Sequence, residues 1–290
     1  MNEFFSTPVG WYVLVCVEVF CGLLLFWLAQ RLYQLLFRRI HLNEELFVRD
    51  NVAAAVALSG FFLGVLLAFG GVTSGLSSAG VDSLMALLSY GAAAIFFMLL
   101  GAFVSDRLIL RRCDCFREIC TDRNLGAGFV EAGVHVANGL LISSALAGDA
   151  GSWLVGLVCW SAGMLVLAGA AAIYPVLARF DVYGEIRNRN NAAAGLALAG
   201  FLVGTGNVLR VSFAGDFSDW QSSLPAYALK LVFCMLLMGS VRWFADLVLV
   251  PGVTISHEIA EQEIPNIGAG LVEAFCYIAG SFLIGLAFSA

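Results

Sequence analysis

The residues of this sequence that could do chemistry are two glutamates inside apolar, glycine-rich stretches. The segment NLGAGFVEA at 124–132 recurs as NIGAGLVEA at 266–274, so Glu131 and Glu273 occupy matching positions. A carboxylate at the centre of a membrane helix costs about 2.5–3.5 kcal/mol or more, so each is expected to face protein or a wet cavity. Four roles stay open: binding a cation, relaying protons, bonding a neighbouring helix through a buried donor, or binding a partner.

The neighbours of the two glutamates differ. His135 and Asn138 follow Glu131 at i+4 and i+7, which predicts one polar stripe on a helix face, whereas Tyr277 and Gly280 stand at the corresponding places after Glu273. At 1.5 Å per residue, Glu131 is expected about 10 Å inside its helix. The preceding turns are rich in glycine, which predicts close helix packing and leaves room for water or a ligand (Gly126, Gly128, Gly268 and Gly270).

Two aspartates also occupy matching positions. Asp106 and Asp246 stand near the ends of the third and seventh apolar stretches, with Arg107 beside the first and Arg242 four residues before the second. This spacing predicts helix-end ion pairs. With the two glutamates, the aspartates could also line a vestibule shared by both halves of the chain.

Three further polar positions need a structural explanation. Glu18 stands about ten residues inside the first apolar stretch, and its candidate partners are His135 and Lys230. Asp50 and Asn190 begin the second and sixth stretches, where they are predicted to be N-caps.

Enzyme motifs and metal-ligand patterns are weak in this sequence. No Walker A, His-Glu-x-x-His or Gly-x-Ser-x-Gly motif occurs, and no connection is long enough for a catalytic domain, so we expect no catalytic residue and no cofactor. Cys113, Cys115 and Cys120 form a CxCx4C cluster without a nearby histidine, which favours reduced thiols over a metal site. Basic patches that could bind nucleic acid are also absent.

Composition defines the class of protein. The chain has 290 residues, of which 61% are hydrophobic and 12% charged, against roughly 25% charged in soluble domains. Because about 20 apolar residues cross a bilayer, the sequence predicts an all-α polytopic membrane protein. Its eight predicted spans are 9–36, 51–70, 84–108, 125–147, 153–178, 191–209, 225–249 and 266–288.

The basic residues predict the orientation of the spans. Only Arg210 and Lys230 fall in or near the connections on one side of the predicted membrane. Because Lys and Arg collect on the cytoplasmic side, both termini are expected outside the cytoplasm. Thirteen basic residues fall on the other side: Arg31, Arg38, Arg39, Arg49, Arg107, Arg111, Arg112, Arg117, Arg123, Arg179, Arg187, Arg189 and Arg242.

The chain also contains an internal duplication. NVAAAVALSGFFLG at 51–64 matches NAAAGLALAGFLVG at 191–204 at an offset of 140, and the glutamate motifs match at an offset of 142. Each half has four predicted spans, so residues 1–147 and 152–290 are expected to be two parallel four-helix repeats related by a pseudo-two-fold along the membrane normal. The Gly-x3-Gly pairs predict close packing and, if the two helices meet, the seam between repeats (Gly60, Gly64, Gly200 and Gly204).

Two duplicated features carry a resemblance to a known family. The GAGxVEA motif and an Asn-Ala-Ala run leading into a Gly-x3-Gly helix resemble the bacterial inner-membrane proteins of the domain of unknown function 350, the YjfL type. The resemblance covers nearly the whole chain and implies the bacterial plasma membrane, with no agreed activity and no catalytic residue. Genes beside family members suggest polyamine chemistry or membrane stress as themes. The second feature comprises Asn51, Ala53, Ala54, Gly60 and Gly64, and again Asn191, Ala193, Ala194, Gly200 and Gly204.

Two functions from different classes fit these observations. The first is a channel or transporter that carries a cation, a proton or a polyamine through a site built on Glu131 and Glu273. The second is a scaffold for membrane stress that recruits a cytoplasmic protein through arginine-rich loops, above all RRCDCFREICTDR at 111–123. Those arginines could instead only set the topology or bind lipid headgroups. Membrane lipid is an expected partner in each case, and a homo-oligomer is compatible with both.

Overall fold

The computed structural model describes residues 7–74, 81–109, 116–146, 153–215, 217–244, 246–247 and 254–289. Within these ranges, eight helices are long and apolar enough to cross a membrane, which confirms the predicted number of spans. The eight are α1 (Pro8–Leu36), α3 (Val52–Ser74), α4 (Val81–Leu108), α5 (Leu125–Ala145), α6 (Trp153–Ala178), α8 (Ala192–Phe213), α9 (Trp220–Phe244) and α11 (Ile267–Ser289).

Short helices fill the connections at one end of the spans. They are α2 (Leu42–Phe47), α7 (Val182–Arg189) and α10 (Ile255–Ala260), and the connection before α5 contains a π-helical turn at Arg117–Thr121. Each lies directly before one of the helices α3, α5, α8 and α11.

The spans form an inner row and an outer set. Helices α3, α5, α8 and α11 pack side by side in that order, and α4, α6 and α9 each pack against two neighbours of this row, while α1 packs against α3 and α4. The most apolar windows of α5 and α8 are 72% and 89% buried, against 17% for α1 and 11% for α9. The apolar sides of α1 and α9 are therefore part of the lipid-facing surface of the molecule.

Small residues allow the inner row to pack closely. A Cβ atom at Gly60 would collide with Ala132 of α5, and one at Gly200 with Ala274 of α11. The two Gly-x3-Gly pairs therefore pack against the other inner helix of their own repeat. They do not meet each other at the seam between repeats, which corrects the expectation from the sequence. The seam is α5 against α8, where Gly133 faces Ala199.

An asparagine caps each helix of the inner row. The side chain of Asn51 accepts a hydrogen bond from Ala54 N, and Asn191 accepts one from Ala194 N. The predicted caps Asp50 and Asn190 were wrong by one residue, because both have left-handed backbone (φ 48° and 49°) that ends the preceding connection. Arg123 has the same conformation before Asn124, with φ 51°.

The same asparagines tie the connections together. Asn51 Nδ2 donates to Glu45 (2.8 Å) and to the carbonyl of Ile119 in the next connection (2.9 Å). Asn124 repeats this with Glu118 and Ile186, Asn191 repeats it with Glu185 and Ile259, and Asn266 bonds Glu258. We name these four Asn-Glu pairs the clasps. They place the N-termini of all four inner helices on one face, so these helices run in the same direction.

The clasps divide the described chain into four two-helix units. Each unit has an outer span, a short connecting helix or turn carrying the clasp glutamate, and an inner span beginning after the clasp asparagine. The two four-span repeats are therefore each built from two shorter repeats.

The span predicted at 225–249 begins earlier, at Trp220, because Asp219 accepts hydrogen bonds from Gln221 N and Ser222 N.

Candidate functional site

Glu131 lies on a cavity near the clasp face. The cavity has a volume of about 400 Å³ and is bounded by the end of α1, the connections before α3 and α5, and residues of α3, α4 and α5. The side chain of Glu131 is 11% exposed. Asp106 of α4 lines the same cavity, together with Tyr33, Arg38, Arg39 and Cys120.

His135 lies one turn beyond Glu131 and contacts it. The distance from His135 Nε2 to Glu131 Oε1 is 3.5 Å. The imidazole packs edge-on against Phe61, with ring centroids 5.4 Å apart, and neither ring nitrogen hydrogen-bonds an atom of the described residues. Glu131 therefore faces the cavity beside a weakly held histidine.

Glu273 is buried and paired with an arginine side chain of the same repeat. Its Oε1 forms an ion pair with Arg242 Nη1 and accepts a hydrogen bond of 2.9 Å from the hydroxyl of Tyr174. Arg242 also donates to the hydroxyl of Ser256 (3.0 Å) and lies 3.5 Å from that of Tyr277. This contact corrects the sequence prediction, in which Arg242 paired with Asp246.

Equivalent contacts in the two repeats explain the difference between the two glutamates. Met98 packs at Gly64 as Met238 packs at Gly204, and Gly101 faces Asn138 as Val241 faces Gly280. Residues of α4 and α9 that are 140 apart therefore occupy equivalent positions in the two repeats. By this offset, Ala102 is the counterpart of Arg242. The first repeat has a methyl group where the second has a guanidinium.

A second substitution changes the wall of the cavity beside Glu131. Ile119 and Ile259 accept equivalent clasp hydrogen bonds, so the counterpart of Ser256 is Phe116, which lines the cavity. The Arg242-Ser256 contact has no equivalent between Ala102 and Phe116. Tyr33, the counterpart of Tyr174, packs on Phe61 with ring centroids 4.5 Å apart and lines the same cavity.

The two glutamates lie in separate sites. Glu131 faces the cavity between helices of the first repeat, and Glu273 contacts α6 and α9 of the second. Helix α8 packs between α5 and α11, and adjacent helix axes lie about 8–10 Å apart. The shared vestibule suggested by the sequence does not form between Glu131 and Glu273.

The remaining candidate residues are placed as follows. Asp106 lines the Glu131 cavity, and Arg107 beside it stacks on Phe103 at 3.5 Å. One buried oxygen of Asp246 has no hydrogen-bond partner in the described part of the chain. Glu18 is half-buried in α1, and Lys230, one of its suggested partners, lies over the ring of Phe288.

The glycines before the two glutamates have unequal surroundings. A Cβ atom at Gly126 would meet the backbone of Asn191, and one at Gly128 or Gly270 would meet that of Ala53 or Ala193. Gly268 faces only the side chain of Asn266. Three of the four therefore lie at helix contacts.

Cys120 is the member of the cysteine cluster that the structure describes, since Cys113 and Cys115 lie outside the described residues. Burial raises the pKa of its thiol to about 11, and the negative charges of Glu45 and Glu131 add to the shift. A protonated, buried thiol is a poor nucleophile and metal ligand. Within the described ranges, no group of three His, Cys, Asp or Glu side chains is arranged to hold a metal ion.

The fold defines a polytopic membrane protein built from tandem helical repeats. A family model described as Domain of Unknown Function (DUF350) matches residues 8–146 and again residues 150–288. The chain belongs to the DUF350 family. It is also similar to a UPF0719 transmembrane protein from Aquifex aeolicus (strain VF5), with 27% identity over 266 residues, covering 89% of this chain and 95% of the relative. No solved structure matches the chain.

Three side chains of these sites were not predicted from the sequence: Arg242 and Tyr174 beside Glu273, and Tyr33 at the Glu131 cavity. Arg242 was assigned to Asp246 because the two are four residues apart, whereas its partner Glu273 lies on another helix. The signal in the sequence was that Ala102 stands, at the offset of 140, where the second copy has Arg242 inside an apolar helix. A charge gained inside one copy of an apolar repeat indicates a partner in that copy.

Proposed function

We propose that this protein binds and moves a small cation through the cavity at Glu131, and that it is a channel or transporter of the bacterial inner membrane. A proton, an alkali cation or a polyamine fits the charge of the site. The proposal assigns no catalytic role to any residue and requires no cofactor.

One comparison within the molecule supports this proposal. The carboxylate of Glu273 is neutralised by a guanidinium of the same chain, whereas the equivalent carboxylate of Glu131 lines a cavity of about 400 Å³. A buried carboxylate is stable when a cation and hydrogen-bond donors accompany it. A cation in the cavity would supply to Glu131 what Arg242 supplies to Glu273.

Flux through proteoliposomes tests the proposal. Wild type, Glu131→Gln and Glu273→Gln would be reconstituted at equal density, after matched gel-filtration and thermal-unfolding profiles show that they fold. Proton, potassium and spermidine flux would be followed in each. We expect flux in wild type and its loss in Glu131→Gln, because the amide cannot bind a cation as the carboxylate does. Glu273→Gln should retain flux, since Glu273 is outside the cavity.

Absence of flux above empty liposomes for all three cations would count against transport. The alternative is a scaffold that recruits a cytoplasmic protein through its arginine-rich connections, and exposed Arg117 and Arg187 are consistent with it. Charge reversal at these arginines should abolish partner recruitment in a scaffold and leave flux intact in a transporter. Both proposals place the clasp face in the cytoplasm and both termini outside it, in accord with the basic residues.

A further inference from the structure

The cavity at Glu131 carries charges of both signs, and they are arranged by depth. Arg38 and Arg39 line it from the exposed connection after α1, whereas Glu131 is buried and Asp106 half-buried. A bare metal cation or a proton would need only the carboxylates. A ligand with a cationic end and an anionic group matches all four side chains, because guanidinium groups bind phosphate with paired hydrogen bonds.

An apolar groove adjoins the cavity on the lipid-facing surface. It has a volume of about 440 Å³, and leucine and phenylalanine side chains of α1 and α4 line it. Leu35 and Leu36 belong to both the groove and the cavity, and both are more than half exposed. The polar cavity therefore continues into a surface that would contact acyl chains in a membrane.

The second repeat indicates the chemistry of the cationic end. There Arg242 gives Glu273 a positive charge and an N–H donor together. A primary ammonium has three N–H donors and a positive charge, so it can take the same role beside Glu131. A trimethylammonium group has the charge but no donor.

We propose that the cavity at Glu131 binds the headgroup of a phospholipid with a primary amine, of the phosphatidylethanolamine type. The ammonium contacts Glu131 and Asp106, the phosphate contacts Arg38 and Arg39, and an acyl chain lies in the groove between α1 and α4. This inference rests on the proposed cation site and names the molecule that carries the cation. The cavity volume lies within the usual range of about 300–1,000 Å³ for ligand pockets.

Native mass spectrometry of the full-length protein in detergent tests this inference. Phosphatidylethanolamine, phosphatidylcholine and phosphatidylglycerol with identical acyl chains would be titrated separately, and spermidine, ethanolamine and potassium would be tested by thermal stabilisation. We expect phosphatidylethanolamine to bind at least tenfold more tightly than the other two lipids. Glu131→Gln should remove this preference.

Two further variants separate the parts of the site. Ala102→Arg reproduces the second repeat and should exclude the lipid by placing a guanidinium beside Glu131. Arg38→Ala with Arg39→Ala should weaken phosphatidylethanolamine at least tenfold and leave ethanolamine unchanged, because ethanolamine has no phosphate. Arg187→Gln, which removes an exposed arginine of the same face outside the cavity, is the matched control and should bind like wild type. If Ala102→Arg does not fold, Glu131→Gln decides the question.

Each other outcome overturns the inference in a distinguishable way. Equal binding of phosphatidylethanolamine and phosphatidylcholine would show that the amine is not recognised. Glu131-dependent stabilisation by spermidine or potassium, without selective lipid binding, would overturn the lipid assignment and leave the cation site in place. No Glu131-dependent binding of any probe would overturn both proposals.

Discussion

Arg242 shows at the scale of one residue how a buried carboxylate is accommodated in this fold. Its guanidinium contacts Glu273, Ser256 and Tyr277, so Arg242→Ala would leave Glu273 buried without a cation. We expect a loss of about 3–5 kcal/mol in unfolding free energy, as when one partner of a buried ion pair is removed. Thermal or denaturant unfolding in detergent micelles would measure this loss.

The double variant Arg242→Ala, Glu273→Gln serves as the control for this prediction. It removes the charge together with its partner and should be more stable than Arg242→Ala alone. Added methylguanidinium should also stabilise Arg242→Ala and leave wild type unchanged, since it can occupy the vacated space. Equal stability of wild type and Arg242→Ala would show that the ion pair is not needed.

Cys120 reports on the charge of Glu131 without any ligand. Its pKa of about 11 means that the thiol is protonated at pH 8, with a thiolate fraction on the order of 10⁻³. Alkylation by iodoacetamide should therefore be slow at pH 8 and rise steadily as pH increases towards 11. Glu131→Gln removes a negative charge that raises this pKa, so it should speed alkylation at fixed pH. An unchanged rate in that variant, with wild-type unfolding behaviour, would show that Glu131 does not act on the Cys120 thiol.

At the scale of secondary-structure elements, the clasps link each connection to the next. Asn124 caps α5 and also donates to Glu118 and Ile186, whereas Asn266 caps α11 and donates to Glu258 at an exposed position. Loss of a cap costs about 1 kcal/mol, and leaving a buried acceptor unsatisfied costs about 1–3 kcal/mol more. Asn124→Ala should therefore lower thermal stability more than Asn266→Ala. The reverse order would show that the links between connections do not stabilise the row.

Packing of the inner helices makes a second prediction at this scale. A Cβ at Gly195 would collide with the backbone of Gly126 across the seam between repeats, whereas Gly22 in α1 has open space around it. Gly195→Ala should lower unfolding free energy by about 1–3 kcal/mol, the usual cost of overpacking. Gly22→Ala, as the control, should be neutral or stabilising by up to about 1 kcal/mol, because alanine favours helix. Similar losses in both variants would indicate that the seam tolerates added volume.

Much of this arrangement follows from the sequence, and the part that does not has a physical reason. Hydropathy predicted the eight spans because each carries a long apolar run, and the offset of 140 located the duplication. The shorter repeat was missed because its signal is only an asparagine, a few small residues and an upstream glutamate. The partner of Glu273 was missed because side-chain contacts between helices depend on packing, which sequence spacing does not report.

The outer sides of α3 and α11, the end helices of the inner row, differ from the sides that pack within the row. The side of α5 that meets α8 carries Gly133, and its counterpart on the outer side of α11 is Phe275, which is 65% exposed. On the outer side of α3, Leu66 stands where α8 has Gly206. These bulky residues prevent a further helix from packing at the same short distance, so the outer sides of α3 and α11 are suited to lipid.

The orientation of the whole molecule in the membrane can be tested directly. The clasp face carries most of the basic residues, and the connection between α8 and α9 lies at the other end of the spans. Because positive residues are retained in the cytoplasm, single cysteines at exposed Asn188 and Ser218 should differ in labelling, after the native cysteines are replaced. A membrane-impermeant maleimide should label Ser218→Cys in intact cells and Asn188→Cys only after the membrane is opened. The opposite pattern would invert the protein and place the Glu131 cavity outside the cytoplasm, where any cation would enter from the other side.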